Sequence, residues 1–119
     1  MTAPTVLIVE DEALLREVNI MEFEDAGFRV VSAANGDEAL ALIAADAAID
    51  VMFTDISLRA SIDGWAIAEQ ARAQRPALAV IYATGYPPDA QRVVVGARFF
   101  AKPYVAIDVI EAAREMLAR

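Results

Sequence analysis

Apolar positions along this chain fall into short dense runs separated by longer segments with helical spacing. Thr5 to Val9 (TVLIV), Phe28 to Ala33 (FRVVSA), Ile49 to Thr54 (IDVMFT), Leu78 to Ala83 (LAVIYA) and Ala97 to Ala101 (ARFFA) are rich in β-branched or aromatic residues. The first, third and fourth are almost continuously apolar, which predicts strands covered on both faces. Between them, Glu12 to Ala26 places Leu14, Val18 and Met21 at i, i+4 and i+7, an amphipathic helix that stops at Gly27. Asn35 to Ala45 opens with an N-cap residue and carries Glu38 three positions later, the spacing of a capping box. Gly64 to Gln74 follows Asp63, a second N-cap candidate, and ends before Pro76. Ala106 to Ala118 carries Ile107, Val109, Ile110, Met116 and Leu117 on its apolar side.

Strands alternating with helices imply a parallel sheet with helices on both faces, joined by right-handed crossovers. For five βα units the expected winding is flavodoxin-like, an α/β three-layer sandwich of strand order 2-1-3-4-5. Ligands of such sheets bind at the carboxyl ends of the strands, near the switch point between the first and third. Glu10, Asp11 and Glu12 stand there after the first strand, Asp55 after the third, Thr84 after the fourth and Lys102 after the fifth.

Composition narrows what that rim can do. With 119 residues, the chain from 1 to 119 has the size of one domain. Its longest stretch without a charge, Pro76 to Pro88, contains three prolines and a glycine and cannot span a bilayer. No basic leader or cleavage-site pattern precedes the first strand, so a cytoplasmic home without membrane association is expected. There is no cysteine and no histidine, which removes thiolate and imidazole chemistry and leaves only hard, oxygen-bound metals. A formal charge of −8 argues against nucleic acid as a partner.

Carboxylates about 5 Å apart repel by roughly 3 kcal/mol at an effective dielectric of ~20, so an acidic rim calls for a cation. With oxygen ligands alone that cation is Mg²⁺, for which Mn²⁺ can substitute, and Mg²⁺ accepts a substrate phosphate. A carboxylate beside it, facing a lysine and a hydroxyl, is equipped to attack phosphorus. The assignment that follows makes Asp55 the nucleophile, Asp11 a direct metal ligand and Glu10 a ligand acting through water. Lys102 and Thr84 are then the phosphoryl contacts. Each residue also has a plainer use: first-turn charges for the acidic triplet, a helix cap for Asp55, a turn hydroxyl for Thr84 and a loop cation for Lys102.

The acidic pair in LIVEDE, the NGDEAL opening of the second helix, Asp55 in FTDISL, Asp63 with Gly64, Thr84 with Gly85 in YATGY, Phe99, and Lys102 with Pro103 in FFAKPY occur in order. Together they closely resemble the receiver domain of a two-component response regulator, over residues 4 to 118. The YATGY segment is similar to one found in single-domain receivers and in receivers of hybrid kinases. The resemblance implies that Asp55 accepts a phosphoryl group from a phosphohistidine on a sensor histidine kinase or a histidine phosphotransfer protein. It also implies that the backbone carbonyl of Ser57 completes the Mg²⁺ shell, and that phosphorylation changes a surface read by a downstream protein target. Phe99 is then either a switch residue or simply core.

Several features depart from the family pattern. Arg59 stands where proline is common, and the Arg59 to Asp63 loop is one residue longer than usual. Only residues 85 to 101 separate Thr84 from Lys102, and Pro87 and Pro88 occupy part of that span, so the fourth helix is expected to be short or irregular. The family's dimer face lies in that region, so a monomer or weak dimer is expected. Ser57 and Tyr86 flank the phosphoryl site by the resemblance and are expected to control water access, with slow loss of the phosphoryl group; the plainer use of Tyr86, next to Pro87, is to pack on the loop surface. Nothing follows the last helix except Arg119, and no output domain is expected. Two alternatives use the same frame. A haloacid-dehalogenase-type hydrolase also has an aspartyl nucleophile and Mg²⁺ but wants a second Asp where Ser57 stands, and a flavin carrier would need a phosphate-cradling first loop in place of EDE.

Overall fold

The computed structural model describes residues 3–56, 63–85 and 93–118. In chain order the elements are β1 (Thr5–Val9), α1 (Ala13–Asp25), β2 (Arg29–Ala33), α2 (Gly36–Ala45), β3 (Ile49–Asp55), α3 (Gly64–Gln74), β4 (Ala79–Thr84), β5 (Arg98–Ala101) and α4 (Ala106–Leu117). The strands form one sheet in the order β2-β1-β3-β4-β5, and every neighbouring pair is parallel. The doubly wound order is the one the alternation predicts, and strand limits agree with it to within a residue.

The period-2 alternation of the central strands divides the core in two. Leu7 and Val9 of β1, Met52 of β3 and Val80 and Tyr82 of β4 pack beneath α2 and α3 with Ile43, Trp65 and Ile67. Val6 and Ile8, Val51 and Phe53, and Ile81 and Ala83 face the other way, against Phe23 of α1 and Val109 and Ile110 of α4. The edge strands β2 and β5 are only half covered, whereas β1 is buried throughout.

The caps form as their sequences predict. Asn35 Oδ1 accepts from Glu38 N–H at 2.9 Å, and Glu38 reaches back to accept from Ala34 N–H at 3.2 Å. Asp63 Oδ1 accepts from Ala66 N–H at 2.9 Å. Gly27 ends α1 at φ +95°, a conformation in which any side chain is strained.

Two expectations need correction. The Leu14, Val18 and Met21 stripe of α1 does not enter the core: these residues are 80%, 51% and 61% exposed. The helix is instead rotated so that Asn19 and Phe23 face the sheet. On α4, Ile107 is likewise outside, at 58% exposure, and Val109, Ile110, Ala112 and Ala113 are buried. Among the described residues no helix lies between β4 and β5. Of the span 85–101 in which a short or irregular fourth helix is expected, residues 93–97 hold none and residues 86–92 lie outside the described ones, as do Ser57, Arg59, Tyr86, Pro87 and Pro88.

Candidate functional site

Strand register brings the predicted rim together. Val9 pairs with Thr54, Asp55 with Ala83, and Thr84 with Ala101. The residues just past the ends of β1 and β5 and the last residues of β3 and β4 therefore share one edge of the sheet. Glu10 and Asp55 are buried there, Asp11 is half-buried, and Thr84 is buried at the end of β4.

The close packing has a local cause in Gly64. Its N–H donates to Ile56 carbonyl at 3.0 Å, and a Cβ at this position would lie 2.3 Å from the Asp55 carbonyl oxygen and 2.6 Å from Ile56 Cα. Only glycine lets the first turn of α3 rest on the end of β3. The Asp55 carbonyl also accepts from Thr54 Oγ1 at 2.9 Å, and Ile56 N–H donates to Ala83 carbonyl at 3.0 Å. The backbone on either side of the Asp55 carboxylate is thus tied down.

Glu10, Asp11 and Asp55 each offer a carboxylate oxygen, and the three lie within 4.8 Å of one another. Lys102 enters from the far side: its Nζ donates to Asp55 Oδ2 at 2.7 Å and stands 3.8 Å from Glu10 Oε1. Its backbone N–H donates to the Thr84 carbonyl at 2.8 Å, which ties the β5 exit to the end of β4. The Lys102–Pro103 peptide is cis. Glu10 Oε2 accepts from Glu12 N–H at 3.1 Å, and the Glu10 carbonyl accepts from Arg16 Nη1 at 2.8 Å.

The electrostatics follow from burial. Glu10 is pushed up from 4.5 to about 7, first by burial and then by the charge of Asp55 and a hydrogen bond with Asp11, against the Glu12 N–H and the Lys102 charge. Burial alone would lower Lys102, but its hydrogen bond and charge pairing with Asp55, helped by Glu10, hold it above the ordinary lysine value. A carboxylate raised to about 7 is only partly ionised near neutral pH, and a cation at this edge would favour its charged form. Three hard oxygens on one edge, with no cysteine or histidine in the chain, suit a hard cation such as Mg²⁺ or Mn²⁺.

Of the residues singled out in the sequence, Glu10, Asp11, Asp55 and Lys102 come together, with Thr84 one strand over. Glu12 faces solvent and contributes its backbone N–H. Phe99 lies half-buried on β5, paired with Tyr82 and packed on the α2–α3 side of the core. Sequence reasoning missed Asn19 and Tyr104. Asn19 Nδ2 donates to the Tyr104 hydroxyl at 2.8 Å beneath the Lys102 loop. The signal was there in Asn19, a polar residue four positions before Phe23 on the face of α1 that is buried.

Comparison with known proteins agrees with this geometry. Residues 6–114 match the family described as response regulator receiver domain. The chain is 36% identical over 116 residues to the C4-dicarboxylate transport transcriptional regulatory protein DctD of Rhizobium meliloti, covering 94% of this chain and 25% of DctD. It is 28% identical over 120 residues to the sensor kinase CckA of Brucella abortus, covering 97% of this chain and 13% of CckA. The chain thus spans a quarter or less of the length of these two relatives. Among solved structures, a response regulator receiver protein from Sinorhizobium medicae superposes with a TM-score of 0.92 at 31% identity, covering 98% of this chain and 95% of the other. The receiver domain of the hybrid histidine kinase CckA gives 0.82 at 28% identity, covering 95% and 98%. The hydrolase alternative finds no support in these relatives. With an acidic triad, a lysine on the central aspartate and a family match over nearly its whole length, the chain belongs to the response regulator receiver domains of two-component signalling.

Proposed function

We propose that residues 1–119 act as one phosphoacceptor switch in which Asp55 takes the phosphoryl group. The observation that carries this reading is the 2.7 Å contact between Lys102 Nζ and Asp55 Oδ2 at an edge where three carboxylates meet. An Asp55 oxygen attacks phosphorus of a phosphohistidine on a sensor histidine kinase or histidine phosphotransfer protein. The P–N bond breaks, the imidazole keeps the electron pair and takes a proton, and an aspartyl phosphate remains. Mg²⁺, or Mn²⁺, held by Glu10, Asp11, Asp55 and the Ser57 carbonyl, supplies neutralisation of the phosphoryl oxygens when bound. Lys102 transfers its hydrogen bond from Asp55 to the new phosphoryl group, and Thr84 supplies a hydroxyl from the adjacent strand. Phe99, beside Tyr82 on β5, follows the motion of Thr84, and the altered surface is read by a downstream protein target. Ser57 is too small to orient an attacking water and Tyr86 is bulky enough to cover the site, so the phosphoryl group is lost slowly.

The donor must bring phosphorus to Asp55 and therefore rests on surface next to the rim. α1 starts two residues after Asp11, and its exposed Leu14, Val18 and Met21 form an apolar face suited to a helix of the donor. Incubation with acetyl phosphate and Mg²⁺ followed by intact mass measurement tests the central claim. The parent gains one labile phosphoryl group and Asp55→Asn gains none; labelling of both, or of neither, would overturn it.

A further inference from the structure

The lysine that meets Asp55 sits on the short connection from β5 to α4. Its backbone is held at Lys102 by the bond to the Thr84 carbonyl, and Pro103, next in line, has no N–H to offer. A cleft of about 360 Å³ lined by Glu12, Leu15, Lys102, Pro103 and Tyr104 opens beside this connection, so packing alone does not hold it against α1. One side chain bridges the gap. Tyr104 turns inward, sets its ring edge-on to Phe53 at 5.4 Å, and accepts a hydrogen bond from Asn19 Nδ2 at 2.8 Å.

Asn19 is 2% exposed, a site where an apolar side chain would be buried at lower cost. A hydrogen bond between two neutral groups adds little net stability over a well-packed apolar pair. What the polar pair does add is a single permitted geometry, because one atom of Tyr104 is fixed to one atom of α1. Tyr104 lies two residues from Lys102, so the lysine backbone has a fixed point on each side: Thr84 before it and α1 after it.

We propose that Asn19 and Tyr104 are positioning residues for phosphoryl transfer, holding the Lys102 loop against α1 so that Nζ meets Asp55. This rests on the phosphoacceptor reading above. Neither residue touches the reacting atoms, and their effect passes through Lys102.

The experiment is a double-mutant cycle on the rate of Asp55 phosphorylation by acetyl phosphate at saturating Mg²⁺. Asn19→Leu and, separately, Tyr104→Phe are each measured with Lys102 present and in the Lys102→Ala background. Displacement of a positioned group by a fraction of an ångström predicts a loss of about tenfold when Lys102 is present. In the slower Lys102→Ala background the same substitutions should change the rate by less than about twofold, since the lysine they position is gone. Equal losses in both backgrounds would mean a merely structural role and overturn the inference, as would no loss in either. Tyr104→Phe removes a single oxygen and serves as the decisive variant should Asn19→Leu fail to fold. A parent protein that takes no phosphoryl group would instead refute the phosphoacceptor reading itself.

Discussion

Replacing Glu10 by Gln isolates the electrostatic cost of the acidic rim. The residue is 3% exposed and within 4.8 Å of two other carboxylates. At an effective dielectric of ~20 an ionised carboxylate at that distance repels it by roughly 3 kcal/mol, and Lys102 at 3.8 Å attracts it by roughly 4 kcal/mol. Repulsion from Asp55 and attraction to Lys102 nearly cancel, which leaves burial as the largest cause of the rise from 4.5 to about 7. At 1.36 kcal/mol per pH unit the rise amounts to roughly 3 kcal/mol. An acid whose folded value lies above its unfolded value contributes stability that is complete below about pH 4.5 and lost as the pH passes through about 7. About 2.5 kcal/mol of that loss falls between pH 5 and pH 8. Urea denaturation in EDTA at those two pH values should therefore show the parent losing about 2.5 kcal/mol more than Glu10→Gln, which cannot ionise. Adding Mg²⁺ at pH 8 should stabilise the parent more than the variant, by binding to the folded state. Parallel pH dependences for the two proteins in EDTA would refute burial of Glu10 as the source of the pH-dependent stability.

Lys102→Ala should leave folding and Mg²⁺ affinity intact yet uncouple phosphorylation from the conformational change, so identical chemical-shift changes in parent and variant would remove the lysine from the switch. Gly64→Ala forces a Cβ to 2.3 Å from the Asp55 carbonyl; thermal melts should report a loss of about 2–4 kcal/mol, with slower phosphorylation, since backbone and not a flexible side chain must give way. Val18→Glu, at an exposed site on α1, should slow transfer from a phosphohistidine domain at least tenfold while sparing acetyl phosphate, and equal rates from the protein donor would exclude α1 as its seat. Tyr86→Ala should speed aspartyl-phosphate hydrolysis, and an unchanged rate with intact Mg²⁺ binding would leave Tyr86 without a shielding role.

The sheet order and the rim were legible because they depend on signals local to each strand. Continuous apolar runs such as TVLIV and VMFT mark two-sided burial, and the parallel alternation then forces their carboxyl ends to one edge. Asp55 and Lys102 could be assigned to the same edge from that alone, and they meet at 2.7 Å. The roles of Gly64 and Tyr104 were not legible in the same way. Nothing in the sequence says that a Cβ at Gly64 would strike the Asp55 carbonyl, since that contact depends on how α3 is seated on β3. Phe99 is undecided in sequence for the reason it is half-buried in the structure: the edge strand β5 is packed on both faces, Phe99 on one and Phe100 on the other, but covered only in part.

The orientation of α1 was the least predictable feature, and it has the largest consequences. Two apolar stripes wind around this helix: Leu14, Val18 and Met21 on one side, Leu15 and Phe23 on the other with Asn19 between them. Helical period alone favours neither. The sheet chooses the second because Phe23 is the largest apolar side chain on α1 and finds aromatic neighbours there, Phe28 edge-on at 5.1 Å and Phe53 at 6.3 Å. Burying Phe23 carries Asn19 inward one turn earlier, and a buried amide is costly without a partner, so Tyr104 must supply one. The same rotation turns Leu14, Val18 and Met21 outward, a stripe that starts one turn after Asp11. A choice driven by aromatic packing in the core therefore sets both sides of the helix: the inner contact between Asn19 and Tyr104, and the exposed outer face of Leu14, Val18 and Met21.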